Sequence, residues 1–425
     1  MIADLSISRD TAPALSLPLR FIFSAVGGFT LLGGVLALDA PALLGFYFAP
    51  HVLTLTHLFT LVFASMAALG ALYQLVPVVL RVPIADERLA QLGFWPYAVG
   101  ALTLALGFWH YTVPALIVGG TLVLLGVAVA LVVLARTLRS VPQLNLTGRY
   151  IISALIYFGL VVALGIIFVV NKRLAFWPVA VLPSIAGHAL LGGVGWLTLL
   201  IVGVSYKLVP MFALTHDVDE RLGRINLVLF NLAVPSLALT LLLDGPAWLR
   251  LPLALALAAA CGIYIYDMRR ILRRRLRRKL DIALRAFRIA LGYLALSAVL
   301  GVLLAAGLLD ERLPAGRGAM LYAWSGFAGW IGLTIIGMLH KIVPFLLWTH
   351  RFGAKAGTER VPLVRELVDA RRAEATYWLL NASIPLVLVG MLFGLLWVTT
   401  AGGVALAVAG LVFASTMLSV LRRGS

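Results

Sequence analysis

The chain has 425 residues, of which 62% are apolar and 12% charged, and its mean hydropathy is +1.04. A soluble domain carries about 25% charged residues and buries its apolar surface in one core, so this composition excludes a water-soluble enzyme, a disulfide scaffold and a disordered chain and points to a polytopic membrane protein. The net charge of +17, from 34 Lys+Arg against 17 Asp+Glu, suits either nucleic acid or a membrane surface, and the placement of the charges distinguishes the two.

Residues 1–18 are polar, with Asp4, Arg9 and Asp10 scattered among them, and carry no cleavable signal pattern. They read as a cytoplasmic tail before a single transmembrane domain over 19–425. A crossing needs about 20 mostly apolar residues. Twelve such stretches follow, at about 19–38, 52–80, 91–110, 114–135, 150–170, 180–212, 225–243, 250–267, 286–308, 318–348, 375–396 and 400–421. No strand-like alternation competes with them. If the N-terminus lies inside, only Lys172, Arg173, Arg250, Arg312 and Arg317 fall outside, leaving 29 of the 34 basic residues on the cytoplasmic side. The expected protein is multi-pass in the inner (plasma) membrane of a bacterium, with both termini cytoplasmic. The basic run from Arg269 to Lys279 directly follows the eighth span and reads as an anchor on anionic headgroups rather than a nucleic-acid surface.

Three of the spans end alike. The second closes on Gly70-Ala-Leu-Tyr73-Gln74-Leu-Val-Pro77, the sixth on Gly203-Val-Ser-Tyr206-Lys207-Leu-Val-Pro210, and the tenth on Gly337-Met-Leu-His340-Lys341-Ile-Val-Pro344. An aromatic residue stands seven positions before each glycine: Phe63, Trp196 and Trp330. The prolines are 133 and 134 residues apart. The pattern G-x-x-[YH]-[QK]-[LI]-V-P thus recurs every four spans, which predicts three parallel four-helix repeats (about 19–140, 149–280 and 285–425) around a pseudo-threefold axis. The long second helix of each repeat is the expected inner one. Its glycine permits close packing, and its proline is expected to break the helix near the cytoplasmic face.

An all-α fold of twelve helices in three four-helix arcs resembles subunit I of the haem-copper oxidase superfamily, which includes nitric oxide reductases and, more distantly, NnrS-type haem and copper membrane proteins. In that superfamily, histidines near the outer ends of helices 2, 6 and 10 ligate metals. His57 and His188 match the first two positions. The tenth span has Ala323-Trp324-Ser325-Gly326 where the family has His-x-His. The seventh has no histidine pair, and Val398-Thr399-Thr400-Ala401 lacks the family's arginine pair. The usual three-histidine copper centre is therefore not expected.

The resemblance implies a b-type haem with His57 and His188 as axial ligands, and with Lys172, Arg173, Arg312 and Arg317 as partners for its propionates. The implied work is electron transfer, with a cytochrome or other redox subunit as partner, or binding of a diatomic gas such as nitric oxide or oxygen. A second reading is a transporter or copper-handling protein on the same scaffold. His51 and His110 are further candidate ligands at the outer side. A third reading is a non-catalytic partner of a redox complex. Cys261, the single cysteine, excludes a thiolate cluster, and the absence of C-x-x-C-H excludes covalently attached haem. The two histidines offset one another: counted from the shared proline, His57 is at −20 and His188 at −22, about 200° apart on a helix. A bulge at Gly192-Gly193 is the expected way to reconcile them. No acid is expected in the middle of a span, Asp267 and Asp310 being read as end residues. Trp109, Trp177, Trp248, Trp324 and Trp397 read as an interfacial aromatic belt.

Overall fold

The computed structural model describes residues 12–177, 181–216, 218–309, 313, 316–356 and 358–423. It is 84% helical and without strands among the described residues. Twelve of its helices are long and apolar enough to cross a membrane: α1 (Ser16–Leu38), α2 (Pro50–Leu80), α3 (Glu87–Trp109), α4 (Val113–Arg139), α5 (Leu146–Leu174), α6 (Val181–Ala213), α7 (Arg221–Leu242), α8 (Ala247–Arg273), α9 (Ile282–Ala305), α10 (Arg317–Phe352), α11 (Ala370–Phe393) and α12 (Leu396–Arg423). All twelve expected spans are helices. The largest differences in length are at α5 and α8, which run past the expected bounds at both ends. Asp86, Asn145, Asp281 and Asp369 start α3, α5, α9 and α11 by accepting hydrogen bonds from otherwise unpaired backbone N–H groups of the first turn.

Burial separates the helices into two sets. In the most apolar part of α2, α6 and α10, 78%, 61% and 83% of the residues are buried, against 22–50% elsewhere. Those three form the centre. The others surround them, and α1 packs on α12 to close the ring. There Thr30 donates through Oγ1 to the Gly410 carbonyl at 3.2 Å.

The glycine of the recurring sequence pattern has a specific packing reason. A Cβ placed on Gly203 would lie 2.2 Å from Tyr150 Cβ of α5, and one on Gly337 would lie 2.6 Å from Ala286 Cβ of α9. Gly70 meets Ile22 and Pro18 of α1 in the same way. In all three places the preceding helix crosses directly against the pattern glycine.

The pattern proline does not break the helix where it stands. The helices α2 and α6 continue to Leu80 and Ala213 and end on a left-handed residue, Arg81 (φ 57°) and Leu214 (φ 56°). Backbone N–H groups there return to the carbonyls of Pro77 and Pro210. The helix α10 continues past Pro344 to Phe352. The expected break at proline is thus displaced by one turn in two helices and absent from the third. The ring blocks only the hydrogen bond to the preceding turn, and packing on both sides holds the rest.

Each central helix also contains a π-helical segment, at Leu58–Ser65, Leu191–Thr198 and Ser325–Gly332. All three begin 19 residues before the shared proline. The three segments touch one another at the centre. Trp196 donates through Nε1 to Ser65 Oγ at 2.8 Å, and Trp330 does the same to Thr198 Oγ1 at 3.1 Å. Ser65 and Thr198 hold the same register position, as do the two tryptophans. The third link of this ring has no donor or acceptor, because Phe63 and Gly332 stand at those positions.

Candidate haem site

Near the end of the bundle that carries the α1–α2 turn, a cavity of about 180 Å³ opens between α2, α3, α4, α5, α6 and α10. His57 and His188 both line it. His57 donates through Nδ1 to the Leu53 carbonyl at 2.7 Å, one turn back on its own helix. This bond selects the tautomer with the proton on Nδ1 and leaves the Nε2 lone pair for a ligand. The ring also stacks on Phe108, with centroids 4.5 Å apart. His188 lies edge-on to Phe168 at 5.8 Å, and its Nδ1 has no hydrogen-bond partner among the described residues. A buried imidazole nitrogen left unpaired costs free energy unless something outside the chain takes it up.

The walls are mostly apolar, with Thr56, Thr60 and Ser65 among them, and glycine forms part of them. Gly120, Gly165, Gly192 and Gly193 line the cavity. A Cβ on Gly165 would come within 3.3 Å of His188 Cε1. Lys172 lines the same space; its Nζ donates to the Tyr111 hydroxyl at 3.2 Å and lies 5.6 Å from the centre of the Phe48 ring. Two imidazoles, flat glycine walls and one ammonium group fit a b-type haem. No group of three His, Cys, Asp or Glu side chains placed to hold a metal ion occurs among the described residues.

The π-helical segment falls over Gly192 and Gly193 as expected, but it does not make the two histidines equivalent. The same segment occurs in α2 at the same register, so the two-residue offset survives. The register partners of His57 are Leu190 and Trp324, and those of His188 are Leu55 and Tyr322. They share one cavity because α2 and α6 face it from different sides.

The remaining candidates lie elsewhere. The side chain of His51 is paired with Asp39 (Nδ1 to Oδ2, 2.7 Å) and stacked on Trp109 at 4.1 Å. His110 is exposed just beyond α3. Arg173 is exposed beside Lys172. Arg317 begins α10 and packs over Gly394, after α11, away from the cavity lining. Arg312 and Asp310 lie outside the described residues. His340 is buried, donates from Nδ1 to the Ile336 carbonyl at 2.8 Å and sits against Phe413. Of the five tryptophans read as a belt, Trp248 and Trp397 are mostly exposed, at about 72% and 73%. Trp177 donates to Ser184, and Trp324 donates to the Ile384 carbonyl.

Asp267 lies six residues before the end of α8, next to the basic run that begins at Arg269. It is wholly buried inside α8 and ion-paired with Arg270 at 2.9 Å. Tyr206 stands between Tyr150 and Tyr264 nearby, with ring centroids 6.0 and 6.2 Å apart, and Tyr264 shares a 2.7 Å hydrogen bond with Ser205. Ala260, Tyr264, Asp267 and Ile271 form one buried stripe of α8 at helical spacing, legible in the sequence only if the helix runs past residue 267. No protein-family model matches the sequence, and no curated protein matches it.

Proposed function

We propose that the chain is an integral membrane b-type haem protein, built as three parallel four-helix repeats with both termini cytoplasmic, in a bacterial inner membrane. The repeat reading is supported by the shared sequence pattern, the π-helical segments at one register and the two equivalent tryptophan-to-hydroxyl bonds. The topology rests on the one-sided placement of the basic residues.

The functional reading rests on one observation: His57 and His188 line a single cavity, His57 with its Nε2 left open by the Leu53 bond and His188 with an unpaired ring nitrogen. His57 and His188 would hold the haem iron in this reading, and Lys172 would pair with a propionate. A haem bound there supplies a one-electron couple. The protein's part is to fix the His57 ring through Leu53, keep water from the apolar cavity and hold the propionate charge through Lys172. Two protein ligands favour electron transfer over gas binding.

The test is the visible spectrum of the purified protein. A Soret band is expected, with split α and β bands on reduction. His57→Ala or His188→Ala should shift or abolish it. Carbon monoxide should leave the reduced spectrum unchanged; a shift would favour diatomic-gas binding instead. A colourless protein that takes up no added haem would overturn the reading and favour the transporter or copper-handling alternative.

A further inference from the structure

A second cavity, of about 90 Å³, lies between α2, α6 and α10 on the side of the π-helical segments away from the histidines. Its lining runs in register. Ten residues before the shared prolines stand Ala67, Leu200 and Thr334; nine before, Ala68, Ile201 and Ile335; six before, Ala71, Val204 and Met338. At these three levels α2 supplies the smallest side chain; five before the prolines Leu72, Ser205 and Leu339 line the space, and two before them the large Leu75, Leu208 and Ile342 close it. Interiors are otherwise close-packed, so three alanines on one helix, opposite larger residues on the other two, are what hold this space open.

The chemistry of the walls restricts the occupant. A buried water needs two to four polar partners. Here Thr334 Oγ1 is a lining hydroxyl without a hydrogen-bond partner among the described residues, while Ser205 Oγ is engaged with Tyr264 and the Val202 carbonyl. One available polar atom does not hold water, and apolar cavities of this size stay dry and take small apolar guests. The lining belongs almost wholly to the three most buried helices, with Phe287 of α9 beside them.

We propose that this axial cavity binds a small, weakly polar gas molecule of diatomic size, with the Thr334 hydroxyl as its one polar contact. Leu197 lines this cavity and the His57–His188 cavity alike. A single side chain therefore stands between the two spaces. The site is defined by its own lining and does not depend on haem.

Xenon is the probe. Crystals of the full chain pressurised with xenon should show an anomalous peak among Ala71, Thr334 and Met338. Ala68→Ile copies the residue that α6 and α10 carry at that level, fills the space and should remove the peak. Ala71→Val, copied from α6, gives a second filled variant if the first does not fold. Both should leave any xenon peak beside His57 in place. No peak in the unaltered cavity, ordered water or acyl-chain density there, or a peak that survives filling would overturn the proposal. A haem-free protein with the peak would leave this inference standing and sink only the haem reading.

Discussion

Trp196 and Ser65 are 131 positions apart in sequence and meet in the middle of the bundle. Each is at most 2% exposed, so neither can exchange its partner for water. Breaking such a bond leaves a buried polar group unpaired, at a cost of about 1–3 kcal/mol. Trp196→Phe and Ser65→Ala should therefore each destabilise the protein in mild-detergent unfolding, and the double variant should cost less than the two together. Strict additivity would mean that the bond contributes nothing. The same reasoning applies to His57: its value as a ligand depends on the Leu53 carbonyl as much as on the imidazole, because that carbonyl determines which nitrogen is free.

At the scale of the helix, the recurring pattern separates into parts with different physical roles. Its glycine is a crossing point. Gly203→Ala should cost about 1–3 kcal/mol or more, because the new methyl cannot occupy the space of Tyr150 Cβ without moving α5. Gly27→Ala, where nothing lies within reach of a Cβ, should cost little and serves as the control in the same unfolding assay. Beyond the proline the helix closes on a left-handed residue in α6, Leu214, which is about half exposed. A side chain in that conformation costs about 1 kcal/mol that glycine does not. Leu214→Gly should raise the unfolding midpoint, and an unchanged or lower midpoint would show that the Leu214 side chain contributes more by packing. Both features were legible as a sequence pattern. Their reasons were not, because a crossing partner such as Tyr150 lies 53 residues away in the chain and nothing local marks it.

For the whole molecule, the charge distribution makes a direct prediction of sidedness. The one native cysteine, Cys261, is buried, so single added cysteines report on their own sites. Ser140→Cys, in the exposed α4–α5 loop, should react with an impermeant maleimide only from the cytoplasmic side. Thr112→Cys, in the exposed α3–α4 loop, should react only from the outside. The reverse labelling would invert the topology, and equal labelling of both from one side would break the alternation of spans.

Sequence alone determined how many helices there are, where they run and which three are central, because apolar length and the recurring pattern are carried by each segment separately. It also marked His57 and His188, since few other side chains deep in the spans can hold a cofactor. Only the tertiary structure decided that these two histidines share a cavity despite their offset, that His51 and His110 stand apart from it, and that Asp267 is buried. Those facts depend on which faces of different helices turn towards each other. The axial cavity belongs with them: three alanines look unremarkable on α2 and leave a space only when Leu200, Ile201, Val204 and their partners on α10 stand opposite. Periodicity specifies the buried face of a helix, but the shape left between three such faces is a property of the assembled bundle.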